Sequence, residues 1–155
     1  MPVNDELGKR MKEYYENIPK IKLMRRTPVI IRIDGKAFHT FTRGFKKPFD
    51  EILIKSMQET TKYLCEKIQG CVLGYTQSDE ISLLLIDYKN LNSSAWFDYE
   101  VQKMCSISAS MATMAFNKAF AHEIAAQSKR IYTEYLTDKD SNYIDSLENA
   151  MNKGA

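Results

Sequence analysis

Apolar residues in this chain fall into three compact runs and three longer periodic stretches. Val29-Ile30-Ile31-Arg32-Ile33, Cys71-Val72-Leu73-Gly74-Tyr75 and Ile81-Ser82-Leu83-Leu84-Leu85-Ile86 are of strand length, and each predicts a β-strand. Between the first two, Leu53, Met57, Leu64 and Ile68 recur at helical spacing, with Asp50 placed to cap the helix and Gly70 to close it. After the third run, Phe97 to Gln127 is rich in Met, Ala and Ser and predicts one long helix, continuing with breaks through Tyr135. At the other end Asp5 can cap a helix running to about Asn17. Its Leu7, Met11, Tyr14 or Tyr15, and Ile18 share a face, and Pro19 ends it. Residues 36–48 and 87–95 read as loops. From Thr137 onward, residues 137–155 read as a polar tail, helical at most.

The order is helix, strand, helix, strand, strand, helix. A strand–helix–strand unit makes its two strands parallel through a right-handed crossover. The antiparallel hairpin partner then inserts between them, as in a split β-α-β arrangement. The expected fold is α+β: one small antiparallel or mixed sheet with helices on one face. This order brings the end of the first strand beside the hairpin turn. No fourth strand pattern follows, so residues 1–155 read as one C-terminally incomplete domain whose first strand has an unpaired edge. Such an edge recruits a partner, and a homo-oligomer is the expectation.

A length of 155 residues suits a single domain. The net charge of +2 supplies no global field for nucleic acid, so any polyanion site has to be a local patch. Cys65, Cys71 and Cys105 show no C-x-x-C spacing and read as reduced thiols of a cytoplasmic protein. Met1 to Glu6 is polar and lacks the apolar core of a signal peptide, and no apolar run reaches the ~18 residues that span a bilayer. A soluble protein without a membrane partner is expected.

The chemistry concentrates at two strand ends. Asp34-Gly35 follows the first run, and Asp79-Glu80 lies 45 residues on, between the second and third. Asp-Gly alone is a common turn dipeptide and hairpin turns are often acidic, so neither segment speaks for itself. Their conjunction at one sheet edge does. Three oxygen donors there suit Mg²⁺, which takes one or two carboxylates and completes its shell with substrate phosphates. Gly35, lacking a Cβ, lets its carbonyl approach a metal. Lys36, Arg43, Lys46 and Lys47 follow, either as a solvated loop or as cations gripping a triphosphate. Phe38, Phe41 and Phe45 close the core beneath, or one of them stacks on a base. His39 has no ligand spacing to His122. Lys103 shares a helix face with Ser106 and Ser110 and can reach a phosphate.

Three stretches carry a family likeness: Arg32-Ile33-Asp34-Gly35-Lys36-Ala37-Phe38-His39-Thr40-Phe41, Phe45-Lys46-Lys47-Pro48-Phe49-Asp50 and Gly74-Tyr75-Thr76-Gln77-Ser78-Asp79-Glu80-Ile81-Ser82. Over about residues 5–120 the chain resembles the tRNA-histidine guanylyltransferase family and its bacterial and phage-like relatives, the 3′-to-5′ RNA polymerases. The resemblance implies a polymerase palm-like fold and two Mg²⁺ ions held by Asp34, the Gly35 carbonyl, Asp79 and Glu80. It makes Asp34, Asp79 and Glu80 the catalytic carboxylates. Lys47, Ser78 and Lys103 match triphosphate-contacting positions, and Lys36, Phe38 and His39 lie in the same matched set. GTP or ATP and tRNA are the implied substrates. Asp98-Tyr99-Glu100 stands where eukaryotic members are Arg-rich, which is similar to the bacterial relatives that repair tRNA 5′ ends. The Phe-Asp-x-Arg strand and the His-Ile-Asn-Asn-like segment of the family are not in this sequence. Two function classes follow. One is nucleotide addition to tRNA 5′ ends in the 3′-to-5′ direction, as end repair or as tRNA-histidine guanylylation. The other is an inactive or regulatory fragment that binds nucleotide or RNA without turnover. A nucleotidyl cyclase on the same palm would need a base-recognition motif that the sequence lacks.

Overall fold

The structure, a computed structural model, describes residues 5–133 and 138–153. Met1 to Asn4 of the polar start lie outside the described residues, as do 134–137, where the long helix was expected to reach Tyr135 and the tail to begin. Three strands, β1 (Val29–Asp34), β2 (Cys71–Gln77) and β3 (Glu80–Leu85), form one sheet in the order β1-β3-β2. Both pairings are antiparallel, so β1 and β2 run parallel with the hairpin partner inserted between them, as the element order requires. Among the described residues five α-helices complete the fold: α1 (Glu6–Met11), α2 (Phe38–Phe41), α3 (Glu51–Lys67), α4 (Val101–Thr133) and α5 (Asp138–Lys153).

Helices α3 and α4 cover one face of the sheet, where Val29, Ile31, Ile81, Leu83 and Leu85 are buried. α4 meets them with a four-residue stride of buried positions, Met104, Ser108, Ala112, Phe116, Phe120 and Ile124. α3 contributes Ile52, Met57 and Leu64 together with buried Ser56, Thr60 and Thr61. Each of these three hydroxyls donates to the carbonyl four residues back, at 2.6–2.8 Å, so small polar residues are buried without an orphaned donor. The other sheet face is open. Ile30, Leu84 and Leu73 form one cross-strand row on it, and Arg32, Ser82 and Tyr75 the next. Among the described residues no strand pairs with the outer edge of β1.

Three local expectations change. The N-terminal apolar face exists, and Asp5 caps it by accepting from the Gly8 amide at 2.9 Å, but Leu7, Met11, Tyr14, Tyr15 and Ile18 remain exposed. The helix turns from α into a π segment at Lys12–Glu16. The long helix begins at Val101 rather than Phe97, because Phe97, Asp98 and Tyr99 all have positive φ, 49°, 52° and 55°. Left-handed backbone is costly for residues with a Cβ, and a charged clasp secures it here. Arg25 Nε donates to Asp87 Oδ2 at 2.6 Å, its Nη1 to Asp98 Oδ1 at 2.9 Å, and Lys22 pairs with Asp98. The Arg26 amide adds a bond to Asp87 Oδ1 at 2.9 Å. Finally, the polar tail is a helix with a buried stripe, Tyr143, Leu147 and Ala150.

No helix among the described residues is long and apolar enough to cross a membrane. The three cysteines are free, and burial beside Cys65 pushes the Cys71 thiol up to about 12, so it is no nucleophile at neutral pH.

Two outcomes follow. The Arg25 guanidinium bonded to the inaccessible Asp87 holds that carboxyl below the usual carboxylate range. A depressed folded-state pKa stabilises above the unfolded value of about 3.9 and is lost as pH falls through the folded value. Asp87→Asn is therefore expected to melt lower than wild type at pH 7, with the gap closing below pH 4; a constant gap across an acid series of melting curves counts against the clasp. The open β1 edge and the exposed Ile30 predict concentration-dependent self-association of the 155-residue chain. Sedimentation is expected to show it, and Ile30→Lys to weaken it.

Candidate active site

The antiparallel register of β1 and β3 builds the acidic edge. Asp34 lies opposite Glu80, and one further bond past the strand, from the Gly35 amide to the Asp79 carbonyl at 3.2 Å, ties the exit of β1 to the hairpin turn. That turn has two residues, Ser78 and Asp79. Ser78 sits at φ 55°, a strained value for a residue with a Cβ, and its hydroxyl donates to Asp79 Oδ1 at 3.0 Å. Like charges facing each other across strands destabilise a sheet. Arg32, two residues before Asp34 and on the same face, offsets the repulsion by bonding Glu80 Oε2 through Nη2 at 2.6 Å.

Past Asp34 the chain folds back on itself. Ala37 takes a left-handed conformation, φ 55°, and starts the single-turn helix α2. The Phe38 ring then lies over Gly35: a Cβ there would stand 2.2–2.8 Å from three ring carbons. Phe38 cannot yield, since it packs against Phe41 and Phe116 with centroids 5.1 and 5.5 Å away. The sequence suggested that Gly35 exposes a carbonyl; its structural necessity is the ring above it.

Two hollows flank this ring. The first, about 480 Å³, is lined by His39, Thr42, Lys46, Lys47 and Ser78. The second, about 300 Å³, is lined by Asp34, Lys36, Thr60, Ala112 and Phe116. Gly35, Phe38 and Asp79 line both. Seven of the expected site residues besides Gly35 thus meet here: Asp34, Lys36, Phe38, His39, Lys47, Ser78 and Asp79. Two do not. Glu80 lines neither hollow and is turned to the open sheet face beside Arg32. Strand alternation does not separate it from Asp34, because Glu80 is out of phase with the inward Ile81, Leu83 and Leu85 just as Asp34 is with Val29 and Ile31. Lys103 is on the first turn of α4 and pairs with Glu100 at 3.5 Å. It lies nine residues before Ala112, about 14 Å along the helix axis. Asp50, Ala112 and Thr113 also line the hollows and were not singled out as site residues; for Ala112 the only signal was a small residue one turn before Phe116 on the buried stride.

The donors at this edge fit a divalent cation in kind: carboxylates of Asp34, Asp79 and Glu80 and the Gly35 carbonyl are all hard oxygen ligands. Asp34 and Asp79 share the wall of one hollow, and among the described residues neither is in an ion pair. Among the described residues no three such side chains are drawn together into a ligand cluster. An ion held by one or two carboxylates and completed by water and phosphate needs no such cluster. The edge also makes a test. Asp34→Ala removes a charge facing Glu80, so without ligand it is expected to melt no lower than wild type. The stabilisation by Mg²⁺ plus GTP is expected to vanish in both Asp34→Ala and Asp79→Ala. A ligand-induced shift unchanged in both would rule out a shared metal site.

Residues 8–144 match the family described as Thg1, tRNAHis guanylyltransferase. The tRNA(His) guanylyltransferase of Schizosaccharomyces pombe is 30% identical over 113 residues, 71% of this chain and 41% of the relative. A bacterial tRNA(His) guanylyltransferase (Thg1)-like protein solved in complex with GTP is 52% identical with a TM-score of 0.68, covering 75% of this chain and 55% of that one. A bacterial Thg1-like protein in complex with ATP gives 50% and 0.69, covering 76% and 51%. The chain spans between two-fifths and a little over half the length of these proteins. The α+β fold read from the element order, palm-like as the resemblance implied, is the one these neighbours share. With a match over most of its length and a common fold, this chain belongs to the tRNAHis guanylyltransferase (Thg1) family.

Proposed function

We propose that the chain carries the nucleotide-binding, metal-ligating edge of a nucleotidyltransferase that adds nucleotides to tRNA 5′ ends in the 3′-to-5′ direction. The observation that carries this reading is the cross-strand Asp34–Glu80 pair, with Asp79 tied beside it, next to a hollow walled by Lys46, Lys47 and Ser78. The GTP and ATP complexes of the bacterial relatives support a nucleoside triphosphate as ligand. In this reading Asp34, the Gly35 carbonyl, Asp79 and Glu80 hold two Mg²⁺ ions. When bound, such ions lower the pKa of an attacking hydroxyl and neutralise charge on phosphate oxygens.

The chain's own residues do the remaining work by position and charge. Lys46 and Lys47 neutralise the triphosphate from the loop side, and Ser78 offers a hydroxyl donor from the turn. Phe38, half-buried, presents a ring edge between the two hollows where a base can pack. Lys36, at the second hollow and two residues past Asp34, suits the 5′-phosphate end of tRNA. Free thiols and a tRNA substrate fit a cytoplasmic protein. The second reading, nucleotide binding without turnover, draws on Glu80: it is bonded to Arg32 and turned away from both hollows. The deciding measurement is nucleotide addition to a 5′-truncated tRNA alongside GTP binding. Addition supports turnover; binding with no addition favours the second reading.

The phosphate grip is testable separately. A charge-assisted contact contributes roughly 1.5–3 kcal/mol, so Lys47→Ala is expected to weaken GTP binding about tenfold or more. Guanosine, with no phosphate, is expected to lose almost nothing. Lys103→Ala, at a side chain that lines neither hollow and pairs with Glu100, is expected to leave GTP binding as in wild type. Calorimetric titration of both variants with both ligands reads these differences, and equal losses for GTP and guanosine contradict the grip.

A further inference from the structure

Helix α5 reaches back onto the loop that walls the first hollow, and one side chain makes most of that contact. Asp50, 4% exposed, caps α3 by accepting from the Leu53 amide at 3.0 Å through Oδ1. Its Oδ2 accepts from the Lys46 amide at 3.1 Å and from the Tyr143 hydroxyl at 2.8 Å. The Tyr143 ring meanwhile lies under the Lys46 ammonium, 4.5 Å from Nζ to the ring centroid. A single phenol from 93 residues away therefore holds both the acid and the base of one loop. The next turn of α5 adds Ser146. Its Cβ would be 2.9 Å from a Cβ placed on Gly44, whose φ of +94° also calls for glycine. Leu147 and Ala150, 1% and 2% exposed, anchor the helix behind these contacts.

We propose that Tyr143 is a positioning residue for the triphosphate wall: it fixes the Lys46–Asp50 segment, and so the Lys46 and Lys47 ammonium groups, against the first hollow. The proposal rests on the triphosphate reading of that hollow. Among the described residues neither Tyr143 nor any other α5 side chain lines the hollow, so its action passes through Asp50 and Lys46. A buried carboxylate needs its lone pairs satisfied, and without the phenol Oδ2 keeps only the Lys46 amide, inside the loop it is meant to hold. Burial, followed by the neighbouring Asp50 carboxylate, pushes the Tyr143 hydroxyl well above its ordinary pKa, which keeps it a donor throughout the neutral range. The cation–π contact limits where the Lys46 head can go.

Tyr143→Phe tests this, because it keeps the ring, the packing of α5 and the cation–π contact while removing one hydroxyl. With Mg²⁺ present, its GTP affinity is expected to fall about fivefold to tenfold, less than the loss of a direct phosphate contact because the hydroxyl acts through Asp50 and Lys46. Guanosine affinity is expected to stay within about twofold. In the unliganded protein, hydrogen exchange of the Lys46 and Leu53 amides is expected to quicken while the amides of residues 142–153 keep their protection. Wild-type GTP affinity in the variant overturns the proposal, and so does a loss of α5 protection, which would make Tyr143 a packing residue only. If the wild type itself fails to bind GTP, the triphosphate reading falls. The exchange measurement then decides the positioning role alone: unchanged Lys46 and Leu53 rates overturn it, and faster ones with α5 intact support it.

Discussion

Everything at the candidate site depends on the register between β1 and β3. A strand places alternate side chains on opposite faces, so a slip of one residue would carry Ile31, Ile33, Ile81 and Leu83 out of the core and Asp34 into it. The buried set fixes the register, and the register then makes Asp34 and Glu80 partners. The acidic edge is thus a by-product of hydrophobic pairing, held by surface removed from water rather than by any attraction among the acids. Helix α4 completes the constraint. Its four-residue stride puts Phe116 under Phe38, and Phe38 over Gly35, so the core and the mouth of the site are parts of one aromatic stack.

That edge is also where local preference yields. Two carboxylates face each other, Ser78 adopts a backbone conformation that suits glycine, and Ala37 does the same two residues past Gly35. Each lowers stability by itself, and such departures gather at functional sites, where the surrounding structure over-determines them. The opposite end of the sheet has its own departure, the left-handed turn at Phe97–Tyr99. Its compensation there is electrostatic, two acids clasped by Lys22 and Arg25. At the acidic edge the compensation is the single cation Arg32, which leaves Asp34 and Asp79 unpaired among the described residues.

The sheet order and α3 were legible because short-range signals carried them: aliphatic runs of strand length, and an Asp50 cap followed by apolar positions at helical spacing. The start of α4 was not. Trp96-Phe97-Asp98-Tyr99 has a composition that a helix accepts, and what excludes it is the pairing of Asp98 with Arg25 and Lys22, 73 and 76 positions away. α5 was masked by its polarity, since five apolar residues among sixteen make a stripe only once there is something to cover. At the site the reverse held. The acids, the glycine and the loop cations stood out by residue type, and most of them converge. Lys103 lines neither hollow and pairs with Glu100 instead, because sharing a helix with the site does not by itself put a side chain beside it. Asp50 was readable as a cap but not as the centre of three hydrogen bonds, one of which comes from the far end of the chain.

Asp79, Gly35 and Phe38 form a wall common to both hollows, so an occupant of either one touches a surface that the other also meets. A ligand that shifts this partition from one side changes the room and the charge presented to the other, and by linkage the effect is the same in both directions. Substitutions in the partition therefore act on two occupants at once. The flanking residues separate them: His39 and Thr42 address one hollow alone, Ala112 and Thr113 only its neighbour. The geometry supplies, within a few ångströms, the means to tell order of binding from strength of binding.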